Sequence, residues 1–291
     1  MNSRILFISV FISILPLQFL YSKTLQENSL KKSELQDSSS ESKFSEAIED
    51  NSFLIEEAYN QEDRVIQHIS TLIYSMKPFN SYSYSFTQEW PFFSQKHQLS
   101  FTIPYTYFTE NSVSGIGDIY LNYRYQLTGH DDFITAAPRI SVILPTGNNE
   151  KGLGTGSTGF QLNIPLSKRL TEGFAAHANL GMTLFPNAKA NDISGREIKK
   201  TLASYNYGAS IIWLLSYNFN LMLEYVGYYN GAFDEKAEVG HRLTHILSPG
   251  LRYAIDVNKL QIVPGLALPV SFEEGSSRTD LFFYLSFEHP I

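Results

Sequence analysis

From residue 63 to the end, apolar and polar residues alternate one for one through segment after segment. That period suits strands with two unlike faces and is incompatible with helices, whose faces repeat every 3.6 residues. Leu99, Phe101, Ile103, Tyr105 and Tyr107 alternate with Gln98, Ser100, Thr102, Pro104 and Thr106. Ile119, Leu121, Tyr123, Tyr125 and Leu127 alternate with Asp118, Tyr120, Asn122, Arg124 and Gln126. Phe219, Leu221, Leu223 and Tyr225 alternate with Asn220, Met222 and Glu224, and Leu281, Phe283, Leu285 and Phe287 with Phe282, Tyr284, Ser286 and Glu288. The pattern predicts twelve strands, over 63–76, 79–91, 96–107, 116–128, 132–145, 157–169, 173–185, 201–214, 218–230, 244–256, 259–271 and 279–289. The first of these, around Val65 to Met76, has no clear phase.

The charges sort onto one face, and the extent of the greasy face decides what it meets. Glu89, Asp118, Arg124, Arg139, His177, Glu224, Arg252, Asp256 and Glu288 all fall on the polar face. An Arg or Lys facing lipid near mid-bilayer costs about 2–4 kcal/mol, so a membrane barrel turns its charges inward. Twelve strands of Tyr, Phe, Leu and Ile are also too much apolar surface for the interior of a small soluble barrel. Tyrosines near strand ends, such as Tyr82, Tyr107, Tyr205 and Tyr229, suit interfacial girdles. Connections are expected to alternate in length, with short turns at Gly129-His130-Asp131, Leu170-Thr171-Glu172, Ser216 and Val257-Asn258. Longer loops are expected over 146–156, 186–200, 231–243 and 272–278. The expected fold class is all-β, a transmembrane antiparallel up-and-down barrel of about twelve strands in an outer membrane.

Upstream of the barrel lie two further regions. Residues 1–22 have the layout of a secretory signal peptide: Arg4, an apolar run from Ile5 to Leu20, and the small Ser22 as a cleavage position. Residues 23–62 carry 4 Lys against 10 acidic residues and are Ser-rich, which predicts an acidic periplasmic linker, mostly disordered, with one short helix near Phe44 to Tyr59. The barrel itself carries 17 basic and 19 acidic residues and is nearly neutral, so most of the acidity of the chain belongs to the linker. Such a balance argues against a nucleic-acid partner. The absence of Cys excludes disulfides, thiolate zinc sites and Cys nucleophiles.

Several motifs invite chemistry. Gly154-Thr155-Gly156-Ser157-Thr158-Gly159 matches a dinucleotide fingerprint, but the alternating strand Phe160 to Ile164 follows where a helix is required. His68-Ile69-Ser70 has the His-x-Ser spacing of barrel phospholipases without an orienting third group. His241 and His245 are four apart but lie in a loop running into a strand, which leaves them short of a zinc set. No catalytic residue, metal or cofactor is therefore expected. The lumen charges Asp118, Arg124, Arg139, His177, Glu224, Arg252 and Asp256 are the candidates for a selectivity site, with structural ion pairing as the competing reading.

Three linked motifs carry a resemblance. Phe53-Leu54-Ile55-Glu56-Glu57-Ala58-Tyr59-Asn60-Gln61-Glu62 precedes the first strand, and Gly115-Ile116-Gly117-Asp118 opens a later one. Pro138-Arg139 then leads to Leu144-Pro145-Thr146-Gly147 and Gly152-Leu153-Gly154-Thr155-Gly156. From about residue 53 onward the chain resembles the outer-membrane transporters associated with the meta-cleavage pathway of phenol degradation. The resemblance implies a barrel that passes small molecules, hydrophobic or aromatic ones among them, with membrane lipids, the barrel-assembly machinery and a solute as partners. It supplies no catalytic residues. The C-terminus departs from the aromatic ending of such barrels, because Glu288-His289-Pro290-Ile291 follows Phe287. A lipid hydrolase acting through His68 and Ser70, and a structural or adhesion barrel using loops 146–156 and 186–200, are the alternative readings.

Overall fold

The computed structural model describes residues 52–76, 80–234 and 236–290. The signal-peptide expectation and most of the linker expectation lie outside them. Twelve antiparallel strands form one closed ring. They are β1 (Val65–Ser75), β2 (Ser81–Phe92), β3 (Ser94–Phe108), β4 (Val113–Ile116 and Ile119–Tyr125), β5 (Thr135–Ala136 and Arg139–Leu144) and β6 (Gly159–Thr171). The ring continues with β7 (Phe174–Asn191), β8 (Glu197–Ser216), β9 (Phe219–Phe233), β10 (Val239–Tyr253 and Ile255–Val257), β11 (Leu260–Ala267 and Val270–Glu273) and β12 (Ser276–Pro290). Each strand pairs with its neighbours in sequence, and β1 pairs with β12 from Val65↔Pro290 to Ser75↔Asp280. Closure leaves no unpaired edge, as a sheet in hydrocarbon requires. Among the described residues no helix is long and apolar enough to cross a membrane.

The two faces sort as the alternation predicts. Leu121 and Leu223 are 47% and 44% exposed, while their neighbours Asn122 and Glu224 are 8% and 0% exposed. Aromatic rings collar the outer surface at both ends. Tyr74, Tyr82 and Tyr107 stack in series at one end, with centroids 4.8 and 6.3 Å apart, and Phe174 stacks on Trp213 at the other.

Strand β1 resolves the missing phase. Its inward positions include Gln67, Ile69, Ile73 and Ser75, and the two isoleucines pack on an interior cluster of Val263, Ala267, Phe282 and Tyr284. One sector of the lumen wall is therefore apolar, which erases the contrast between the two faces there.

The connections correct several expectations. The long loops expected over 186–200, 231–243 and 272–278 are largely strand: β7 and β8 run 18 and 20 residues to a tip at 192–196, β9 and β10 leave only 234–238, and β11 and β12 only 274–275. Beyond the bilayer both faces meet water, so the pairing continues without alternation and the sequence reads as loop. Cross-strand ion pairing, such as Lys189 with Glu197 at 3.2 Å, supports this overhang. At the opposite end, the expected short turn at 129–131 is the longer connection 126–134, braced by Thr128 Oγ1 donating to the Ile134 carbonyl. The first residue of β1 and the last of β12 share that end, the periplasmic one in barrels of this kind.

Replacing Leu223 by Arg puts a cation on the lipid face. It is expected to destabilise the barrel by about 2 kcal/mol or more, whereas Leu223→Ala costs less; reversible denaturant titration in liposomes measures the difference.

Candidate functional site

The lumen is occupied. Ser52–Glu62, the end of the stretch expected to be linker, runs across the interior without helix or strand structure, so the expected helix is absent over its described part, 52–59. A reverse turn with Arg64 at φ 61° and a Val65 N–H bond to the Glu62 carbonyl then leads into β1. An extended segment without sheet partners has a full set of unpaired backbone groups, and buried ones must find acceptors and donors elsewhere. Here the barrel's inward side chains supply them.

The N–H groups of Phe53, Leu54 and Ile55 all donate to one carboxylate oxygen of Glu224, at 3.0, 2.8 and 3.1 Å. Those of Glu56, Ala58, Asn60 and Gln61 donate to Asn179, Ser167, Gln126 and Gln98. The carbonyls of Glu56 and Ala58 accept from Asn179 and Gln126, and those of Glu57 and Tyr59 from the Arg124 guanidinium. Side chains add to this. The Ser52 and Ser210 hydroxyls are 2.7 Å apart, and Asn60 Oδ1 accepts from Arg124 Nε at 2.9 Å. Arg139 Nε donates to both Glu56 oxygens at 2.8 and 2.9 Å, while Arg124 Nη1 lies 3.4 Å from Glu56 and 3.8 Å from Glu57. Glu56 thus bridges two strands through two arginines, and Asn163 donates to it at 2.6 Å. The Tyr59 ring stacks on His130 with centroids 4.2 Å apart.

Three of the seven sequence candidates, Arg124, Arg139 and Glu224, therefore converge on the inner segment. His177 supports it indirectly: its Nδ1 is 2.7 Å from the Ser167 hydroxyl that accepts from Ala58. Arg252 is fully buried on β10, opposite Asn220. Asp256 is remote, accepting from Gln261 near the β10–β11 turn. Asp118 serves the other mouth, where its carboxylate accepts from the N–H groups of Gly147 and Thr155 and from the Thr155 hydroxyl. Thr146 Oγ1 meanwhile donates to the Gly117 carbonyl. A side chain on Gly154 would strike Asp118 at 2.4 Å, so this glycine is fixed by close approach. Sequence reasoning missed the neutral members: Gln67, Gln98, Gln126, Asn163, Ser167 and Asn179. Their signal was present as amides and hydroxyls at inward positions.

A cavity of about 370 Å³ lies beside the segment. Its lining is chemically mixed. Phe53, Leu54, Ile55, Ile69, Tyr120 and Tyr284 bring rings and aliphatic groups, interleaved with the hydroxyls and amides of Thr71, Ser85, Thr87, Ser100, Thr102, Asn122 and Gln161. Arg124, Arg139, Glu56, Glu57 and Glu89 are the charges that border it.

On the outer surface, His68 and Ser70 do not engage each other. His68 Nε2 is 3.3 Å from His289 Nε2, and the Ser70 hydroxyl is 3.1 Å from that of Tyr84. His241 stacks on Tyr229, and His245 Nδ1 is 2.8 Å from the Tyr225 hydroxyl. Among the described residues no group of three or more His, Asp or Glu could hold a metal ion.

The profile of a family described as "Putative MetA-pathway of phenol degradation" matches residues 62–273. The chain belongs to that family. Among solved structures, an outer membrane channel from Pseudomonas putida F1 is similar at 13% identity and a TM-score of 0.59, covering 80% of this chain and 98% of that one. The NanC porin is similar at 10% identity and a TM-score of 0.50, covering 77% of this chain and all of the porin. These likenesses fix the fold, and this member of the family is an outer-membrane β-barrel. No curated protein sequence matches the chain significantly.

Arg124→Met removes one of the two cations on Glu56 and the donors from two segment carbonyls. Breaking a buried pair from one side costs about 3–5 kcal/mol, which is expected to unseat the segment. The measurement is limited proteolysis of the folded barrel: cleavage within 52–62 is expected in the variant and absent in the parent.

Proposed function

We propose that this barrel is an outer-membrane channel for the passive passage of small molecules, hydrophobic or aromatic ones among them, and that its conductance is set by the seating of Ser52–Glu62. The observation that carries this reading is the inner segment itself. It crosses a closed lumen from β9 to β1 and borders a cavity lined by both apolar and polar side chains. A solute with a ring and a hydroxyl would find partners for both. Family membership and the likeness in fold to the Pseudomonas outer membrane channel support the same reading.

In this proposal no covalent chemistry is done and no cofactor is used. Of the seven lumen candidates, Arg124 and Arg139 border the cavity and would act on passing solutes; Glu224 and His177 act through the segment, Asp118 shapes the outer mouth, Arg252 is buried on β10, and Asp256 lies apart near the β10–β11 turn. The lipid-hydrolase reading gains nothing from His68 and Ser70, which bond elsewhere.

The chain contains no Cys, so a designed disulfide is unambiguous. Ser52→Cys with Ser210→Cys replaces two hydroxyls 2.7 Å apart and should bridge on oxidation. In planar bilayers the oxidised double variant is expected to stay in its low-conductance state, and reduction is expected to restore openings. Equal conductance in both redox states, with the disulfide verified, would remove the segment from control of the path.

A further inference from the structure

The segment is held in an unusual way: seven of its backbone N–H groups and four of its carbonyls each meet a barrel side chain. A stopper needs only bulk. Recognition of main-chain groups one after another is how proteins hold extended peptides, with side-chain slots adding sequence preference. Slots are present here too. On β10 and β11, a side chain at Gly250 or Gly265 would come within 2.9 or 2.5 Å of the Phe53 ring, so two wall glycines make room for it. The ring also packs on Phe282 and Tyr284 at 5.1 and 5.2 Å. Glu56 enters the arginine pair, and the small Ala58 is fully buried.

We infer that the lumen is a receptor site for an extended peptide bearing an aromatic residue three positions before a glutamate and a small residue two positions after it, and that Ser52–Glu62 is its tethered occupant. The donors and acceptors belong to the wall, so the site persists when the tether leaves it. A peptide of the same pattern supplied from outside then takes the vacated place. The site stands whether or not the barrel conducts, because it is defined by binding alone.

The test uses the full chain and a fluorescent synthetic peptide spanning Ser52–Glu62. In one barrel the tether is weakened by Phe53→Ala with Glu56→Gln, and in a second it is expelled by Ala58→Arg. Both should migrate as folded barrels on unheated gels and bind the peptide saturably, at least about tenfold more tightly than the parent whose site is filled. A peptide carrying Phe53→Ala should bind about tenfold more weakly, and adding Gly265→Ala to the barrel should abolish that preference by closing the slot. The inference is overturned if the folded variants take up no peptide or bind both peptides alike. It is also overturned if proteolysis shows the tether still seated in both variants, since the slots would then not be what holds it.

Discussion

Hydrocarbon offers no hydrogen bonds, and that single deficit dictates the architecture. Every peptide group of the wall must find its partner in an adjacent strand, which forces the sheet to close on itself through β1 and β12. The same deficit sends charges inward and leaves leucine, isoleucine and tyrosine outside. Inside the ring the rule changes form: the segment crossing the lumen has no strand beside it, and its peptide groups turn to Glu224, Asn179, Ser167, Gln126, Gln98 and Arg124. One requirement, met by main chain in the wall and by side chains in the bore, accounts for both.

The strands were legible because lipid and lumen impose opposite polarity on neighbouring residues. Where that contrast vanished, legibility failed. Ile69 and Ile73 face an apolar sector of the bore, so β1 lacks a phase, and the ends of β7 and β8 meet water on both faces, so strand reads as loop. Arg124, Arg139 and Glu224 could be picked out as inward charges, since a lipid-facing Arg or Glu is costly. What they hold could not, because their partner lies in a stretch without periodicity. Phe53 to Glu62 follows an acidic, Ser-rich run and shares its acidity, although it carried the first of the motifs behind the family resemblance. The neutral amides around it show no charge to mark them.

The arginine and carboxylate cluster also weighs two readings of lumen charge against each other. Glu56 is contacted by Arg139, Arg124 and Asn163, so much of the bonding capacity of these groups is spent within the protein. Under the proposed function, structural pairing and control of passage are the same arrangement, since the pairs fasten the segment in the bore. The rest of the cavity's polar lining is hydroxyls and amides.

The short reverse turn at Asp63 and Arg64 has a kinetic and thermodynamic side. With the segment joined to β1 through so few residues, its local concentration at the bore is on the order of millimolar and independent of how many copies the membrane contains. On the proposed reading, the balance between filled and vacant barrels is therefore a property of each molecule alone. A cell that makes more of this protein gains copies without shifting that ratio, and only something acting on the individual barrel can change it.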